Sequence, residues 1–549
     1  MRLRHIPAYL LLICLPFCAA AMPTTSDTFC AAAESMPVLP EDRLRGKGMQ
    51  EINVSEIPAS ALPAHSEIHL ESAVCQGEAE ILPEYRREPA IFMGEPDAYT
   101  QLEGVLSFRG GPYRDRAAWG TIGGEPTGFS LKWVHSIGSI DSWSGVGWTG
   151  QCAIVRWPEQ TRNVMNLFPE KKAKHGLTEV IYAALDGHIY FYDLDDGEPT
   201  REPIDIGAPI KGSVSVDPRG YPLLYCGQGI DTVRGKSVKI GTRIFSLIDS
   251  SVLYFIDGHD KAALRHWYAF DASPLVDAKT DTLLQVGENG IFYTIKLNSR
   301  FDPTAGTVSI APETVKYVYR SKISSRPGME NSVAVYNHYA CFADNSGLIQ
   351  CVDINTMTPV WAFAAGDDTD ASLALEETGD GVSIYTACEL DLRGSTGDCH
   401  MRRLNLLTGE EIWRVDESCH ASEDYDGGCF ATPAIGKGSL ADYVYFHVGR
   451  TVADGGTLFC IEKATGKVTW RVCLNRYGWS SPVCVYSDSG KGYVVVASSS
   501  GILRCLDGLT GQELFQADLQ SNVEGSPVVF GNTLVVGTRG KKIAAICFE

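Results

Sequence analysis

The sequence predicts an all-β chain folded as an eight-bladed β-propeller of four-stranded antiparallel sheets, and three features of the 549 residues carry that prediction. First, one unit is written twice near the C-terminus at an offset of 45 residues. Gly456-Thr457-Leu458-Phe459-Cys460-Ile461 leads to Ala464-Thr465-Gly466-Lys467, then Val468-Thr469-Trp470 and Ser481-Pro482-Val483. Gly501-Ile502-Leu503-Arg504-Cys505-Leu506 leads likewise to Leu509-Thr510-Gly511-Gln512, then Glu513-Leu514-Phe515 and Ser526-Pro527-Val528. A repeat of that length, made of strand-length runs and Gly-bearing turns, leaves no room for a helix and describes a propeller blade. Second, a Ser or Thr behind a small residue opens a strand at Ser213, Ser273, Ser332, Ser372, Thr432, Ser481 and Ser526, with Thr149-Gly150-Gln151 a degenerate eighth. Third, hairpin turns from Asp186-Gly187 through Glu288-Asn289-Gly290 and Asn345-Ser346-Gly347 to Arg539-Gly540 give an independent count of eight, with seven blades as the alternative.

Taken in order, residues 1–21 have the plan of a secretory signal: Arg2 and Arg4, the short apolar stretch Ala8 to Phe17, and a small-residue cleavage site at Ala19-Ala20-Ala21. No apolar run is long enough to span a bilayer, so the expected mature protein is secreted or extracytoplasmic, in the periplasm or at the cell exterior. Residues 22–104 hold Pro-rich and acidic pieces with little periodic hydrophobicity and are expected to form a partly ordered extension, which Cys30 and Cys75 could staple. Residues 105–549 form the propeller.

Within a blade, runs such as Tyr493-Val494-Val495-Val496-Ala497 are short and β-branched, as buried strands are. Thr-Gly supplies the positive φ of a tight turn. A large ring recurs in the last strand of the unit, as Trp133, Trp361, Trp413, Trp470 and Phe515, with Trp267 a looser match; there it can fill the wedge between neighbouring sheets. The repeats begin with a lone last-type strand, Phe129 to Val134, and end on Lys542 to Phe548. Pairing these ends would close the ring and leave no free edge.

A net charge of -20 argues against nucleic acid or an anionic membrane as partner, since both require clustered Lys and Arg. Of 17 cysteines, 15 follow the signal, and an exported chain is expected to pair most of them. Cys341 with Cys351 flanks a hairpin turn, and Cys388 with Cys399 and Cys419 with Cys429 could close short loops. In an oxidising compartment disulfides are favoured over zinc at these cysteines and their histidine neighbours.

Strand, Thr-Gly turn, Trp-bearing strand and Ser-Pro together resemble the repeat of the pyrroloquinoline-quinone (PQQ)-like propellers, the quinoprotein alcohol dehydrogenase-like superfamily. Phe108-Arg109-Gly110-Gly111-Pro112-Tyr113-Arg114 resembles the lead-in segment of exported bacterial members. The resemblance implies the fold and leaves two activities open, because the family contains quinone-dependent dehydrogenases and non-catalytic scaffolds. No Cys-Cys pair, no Cys-x-x-Cys-His haem site and no family calcium motif is present. Gly145-Val146-Gly147-Trp148-Thr149-Gly150 matches a dinucleotide fingerprint only as a string, since it runs into a strand instead of a helix. Asp193-Leu194-Asp195-Asp196-Gly197 and Gly366-Asp367-Asp368-Thr369-Asp370 lack the ligand spacing of a calcium loop and are expected to be polar turns. Trp143, Trp148 and Trp479 could line a central surface, but blade packing is the preferred account of them. No catalytic, cofactor-binding or metal residue is assigned from sequence. The expected function is that of an exported non-catalytic binding or scaffold module for a protein, peptide or glycan, without cofactor; the alternative is an extracellular dehydrogenase of alcohols or sugars using PQQ with calcium. An inward-facing group of carboxylates under an aromatic floor would distinguish the second from the first.

Overall fold

The computed structural model describes residues 50–51, 68–94, 98–422 and 425–549. The signal segment, Cys30 and most of the expected extension lie outside these residues. Small antiparallel sheets are arranged as eight blades around a central axis. Their first strands are Ala153–Arg156, Ser215–Val216, Leu275–Asp277, Ala334–Tyr336, Ala374–Thr378, Ala434–Ile435, Val483–Tyr486 and Val528–Phe530, which define blades 1 to 8 in chain order. Blade 8 is composite: Lys542–Phe548 pairs antiparallel with Phe129–Ser136, with Ala545 opposite Trp133 and Phe548 opposite Phe129. The two ends of the repeat region thus complete one sheet and close the ring.

Repeat chemistry explains why adjacent blades lock. Trp133, Trp361, Trp413 and Trp470 each donate an indole N–H to a carbonyl of the following blade, at Leu194, Leu406, Lys463 and Gly508, over 2.7–3.2 Å. The turn glycine of that following blade, Gly197, Gly409, Gly466 or Gly511, lies against the same ring; a Cβ there would fall 2.6–2.9 Å from indole carbons. Each of these glycines has φ between 73° and 78°. The turn glycine is therefore required twice, for its backbone conformation and for its missing side chain. Where blade 4 has Met357 at this turn, no Trp from blade 3 seats on it. Phe515, in blade 7, meets Phe129 edge-on at 4.7 Å, because blade 8 has no third-to-fourth turn to offer.

Two departures from a pure repeat matter. Leu70–Gln76 adds a strand to the outer edge of blade 3, antiparallel to Glu313–Ser321, and hairpins with Glu80–Leu82. The described part of the N-terminal segment is thus packed onto the propeller, with Ile68, Leu70 and Cys75 fully buried. In blade 1, two short helices, Glu159–Val164 and Pro169–Ala173, occupy the link between first and second strands, where the repeat pattern left no space for one.

Candidate functional site: the axial chamber

The Ser/Thr signature residues surround the axis. Ser273 N–H donates to the Ser332 hydroxyl, Ser332 to Ser372, Ser372 to Thr432, Thr432 to Ser481 and Ser481 to Ser526, all over 2.8–3.1 Å. Ser526 N–H passes the chain to Gly150 O, and Gln151 N–H to the Ser213 hydroxyl. This belt gives every inner strand a defined partner in the next blade and satisfies backbone donors that would otherwise face the channel. Between Ser213 and Ser273 the lead-in segment breaks in: Phe108 N–H donates to the Ser273 hydroxyl.

That segment plugs one mouth of the channel. Arg109 donates to Pro482 O and Pro433 O, and Arg114 to Val333 O, Ser273 O and Phe108 O. Both guanidinium groups are buried among carbonyls, and that burial lowers the pKa of Arg109 to about 10 and of Arg114 to about 9.

On the other side of the belt lies a chamber lined by Phe108, Trp148, Asp271, Glu330, Asp370 and Trp479 among others. Two layers of the repeat build it. One is the residue two places before each belt position: Lys211, Asp271, Glu330 and Asp370 in blades 2 to 5, Phe430 and Trp479 in blades 6 and 7, Glu524 in blade 8. The other is the turn between second and third strands, which contributes Glu288, Asn345 and Glu389 from blades 3 to 5.

Five of these carboxylates, joined by Asp368 from the same lead-in as Asp370, collect in two triplets, all buried except the half-buried Asp370. In the first, Asp271, Glu288 and Glu330 offer oxygens within 4.8 Å of one another. Lys211 Nζ lies 3.2 Å from Asp271, an ion pair poorly aligned for hydrogen bonding. Glu330 accepts from Asn345 Nδ2 at 2.8 Å and from Trp148 Nε1 at 3.3 Å. Glu288 is fully buried, and neither of its oxygens receives a donor. In the second triplet, Asp368, Asp370 and Glu389, donors are supplied: Asp370 N–H to Glu389 and Asn345 Nδ2 to Asp368 and Asp370. Arg265 holds Asn345 Oδ1 and is the second cation of the site.

Burial drives the electrostatics. It raises the pKa of Glu288 well above the usual carboxylate range, and the charges of Glu330 and Asp271 push the same way. Asp271 and Glu330 are raised for the same first reason and drawn back by Lys211. Burial would lower the pKa of Lys211, but Asp271, Glu288 and Glu330 outweigh it and the net shift is upward. Asp368, Asp370 and Glu389 are all raised, first by burial and then by neighbouring carboxylates: Glu330 and Asp391 for Asp368, Glu330 and Asp368 for Asp370, and Asp370 and Asp368 for Glu389.

Over the carboxylates sits an aromatic lid. Trp148, Phe430, Tyr477 and Trp479 form one buried cluster, with Trp148 edge-on to Trp479 at 5.7 Å. The Lys211 ammonium lies 4.2 Å from the Trp148 ring centre, with Trp143 and Trp267 near 6 Å. Trp148 and Thr149 both have positive φ, 58° and 52°, a costly conformation for a β-branched residue. The space left in the chamber is about 30 Å³, enough for a water-sized species or two.

Motif scanning missed these residues because each triplet joins side chains from the lead-in to a first strand and from a distant turn, and the first also joins Glu330 of blade 4 to Asp271 and Glu288 of blade 3. A positional signal does exist: aligned on the belt hydroxyl, the residue two places earlier turns from charged to aromatic around the ring. Gly366 to Asp370, expected as a polar turn, instead sends Asp368 and Asp370 to the axis and Asp367 to Arg393. Asp193, Asp195 and Asp196 are held by Lys171 and Lys174 as a surface turn. Gly145 to Gly150 is the loop that carries Trp148, and Trp479 lies beside it; Trp143 and Trp267 stand around Lys211. Among the six cysteines expected to pair, Cys341 is the cross-strand partner of Cys351, and the Cys388 and Cys399 thiols touch. Cys419 and Cys429 share the core beside Cys399. Among the described residues no S–S bond is formed.

Fold and site define the class: a closed eight-bladed propeller, plugged at one mouth, with an acidic chamber on its axis. Residues 454–548 match the family described as outer membrane protein assembly factor BamB. Among solved structures it is similar to a quinohemoprotein alcohol dehydrogenase from Pseudomonas putida HK5, at 12% identity and a TM-score of 0.54, over 81% of this chain and 80% of that one. It is also similar to BamB from Moraxella catarrhalis, at 15% identity and a TM-score of 0.45, over 72% of this chain and 98% of that one. No curated protein matches the sequence. No helix among the described residues is long and apolar enough to cross a membrane.

Proposed function

We propose that the protein is an exported, non-catalytic binding propeller whose axial chamber holds a hard divalent cation beneath Trp148, while its blade loops serve a protein, peptide or glycan ligand. The observation that carries the cation is Glu288, a fully buried carboxylate with no donor, packed against Asp271 and Glu330. Such a charge is costly in a low-dielectric interior unless it is neutralised by a proton or a cation. Three oxygen donors with room for water suit calcium or magnesium better than a soft metal. Asp271, Glu288 and Glu330 would hold the ion, and the cation would fix the one turn and the two lead-ins to inner strands that supply them. The signal-like residues 1–21 support export.

A dehydrogenase using PQQ with calcium is the second reading, favoured by the axial carboxylates and by the Trp148 and Trp479 rings beside them. The quinone does not fit this site: Trp148 and Lys211 occupy the axis, and about 30 Å³ falls an order of magnitude below the ~300 Å³ or more of small-molecule pockets. Isothermal titration of calcium into the metal-stripped protein and into Glu288→Gln tests the proposal. We expect saturable binding that the substitution removes. Dye-linked turnover of alcohols or sugars after reconstitution with the quinone would overturn it in favour of the dehydrogenase.

A further inference from the structure

The chamber contains a cation of its own, built into the repeat. Lys211 stands two places before Ser213 and Asp271 two places before Ser273, so neighbouring blades set a basic and an acidic side chain next to each other on the axis. Lys211 Nζ lies 3.2 Å from Asp271 Oδ2, and both side chains are almost wholly buried. Asp271 is also one corner of the triplet whose oxygens lie within 4.8 Å of one another. The ammonium therefore rests on a carboxylate that an ion held by Asp271, Glu288 and Glu330 would need.

The same ammonium has a second seat. Three indoles surround it, with ring centres 4.2 Å away for Trp148, 5.8 Å for Trp143 and 5.9 Å for Trp267. Ring faces attract an ammonium, most strongly where both are withdrawn from water. The stem, by contrast, is confined: a Cβ on Gly229 would fall 2.5 Å from Lys211 Cγ and 2.8 Å from Cδ. Leaving Asp271 for the Trp148 face thus needs only a rotation near the end of the side chain. Arg265, the other cation of the site, is placed differently. Its Nη1 bonds to Asn345 Oδ1, and a Cβ on Gly328 would meet that nitrogen at 1.8 Å, so it acts as a fixed charge.

We propose that Lys211 is a tethered competitor for the divalent ion and sets the affinity of the chamber. In the metal-free protein its ammonium offsets part of the charge of the three carboxylates. An entering calcium ion displaces it from Asp271, and the ammonium is retained over the indole faces of Trp148, Trp143 and Trp267. An ammonium and a doubly charged ion on one carboxylate repel strongly in a low-dielectric interior, which is why the exchange is competitive. The inference rests on the cation reading above and adds to it the residue that limits how tightly the ion is held.

The test is isothermal titration of calcium into the metal-stripped wild type, Lys211→Met and Lys211→Gln, each checked for its fold by a melting curve. Removing the ammonium is expected to tighten binding by about tenfold or more, the reverse of what loss of a merely structural side chain would do. Trp267→Leu leaves the charges of the chamber intact and serves where the Lys211 variants do not fold. It should weaken binding by about threefold in the wild type and have no effect in Lys211→Met. Binding by the wild type that is unchanged or weaker in the folded Lys211 variants would overturn the proposal and leave the cation reading standing, as would unchanged affinity in Trp267→Leu. No binding by the wild type or by either Lys211 variant would overturn both.

Discussion

In blades 2 to 5 the residue two places before the belt hydroxyl is Lys211, Asp271, Glu330 or Asp370, whereas in blades 6 and 7 the same place holds Phe430 and Trp479. Each of these residues stands at the same place relative to its belt hydroxyl, so the chemistry of the axis is chosen by one side chain per blade. The charged half is electrostatically expensive and conditionally stable: its carboxylates outnumber Lys211 and Arg265, and burial pushes their pKa values up. The aromatic half is stable on its own terms through ring packing. A propeller can thus divide one chamber into a wall that needs a partner ion and a wall that does not.

Removing a ring should show the contrast most strongly. Trp479→Ala deletes a nearly buried indole from the lid and is expected to cost about 3–5 kcal/mol, read by chemical denaturation, with calcium still raising the melting temperature. Glu288→Gln should act in the opposite sense: the metal-free protein gains ~1 kcal/mol or more by losing a buried charge, and the stabilisation by calcium disappears.

The pH dependence sharpens the same difference. Glu288 has a folded pKa raised above its unfolded value of about 4.3. Its contribution to stability is present below that value and is lost as pH rises towards the folded pKa. The metal-free protein should therefore melt progressively lower from pH ~5 to ~8, calcium should reverse the trend, and Glu288→Gln should flatten it. His447 works on the acid side. Burial lowers its pKa to about 4, so stability falls as pH drops from about 6.5 towards 4. A metal-free profile that rises with pH throughout the neutral range would contradict the account of the charged wall. The smallest effect belongs to Glu524→Gln. Glu524 already has Arg539, Asn522 and the Trp148 N–H as partners, so about 1 kcal/mol of stability and no change in calcium affinity are expected.

Much of the fold was legible because the repeat writes structural demands into fixed positions. The Thr-Gly turn and the Trp of the preceding blade are two sides of one contact, as Gly511 on Trp470 shows, and the terminal strands visibly lacked partners. Blade 1 was less legible, since its two short helices interrupt the pattern. The chamber was not legible as a motif. Glu288 and Asn345 stood in the sequence as ordinary hairpin turns, and Asp368 and Asp370 as a polar loop, because only closure of the ring brings these turns to one axis. Local spacing does not reveal that the lead-in of a blade and its second-to-third turn, some 17 to 21 residues apart as in Asp271 with Glu288 and Asp368 with Glu389, meet at the axis.

The central claim is that Asp271, Glu288 and Glu330 hold a cation. Anomalous scattering from crystals of the protein grown with manganese tests it most directly. The account expects one strong peak on the propeller axis under Trp148, within about 2–2.6 Å of oxygens from all three carboxylates. A chamber without a peak, with Lys211 alone neutralising the triplet, would contradict it.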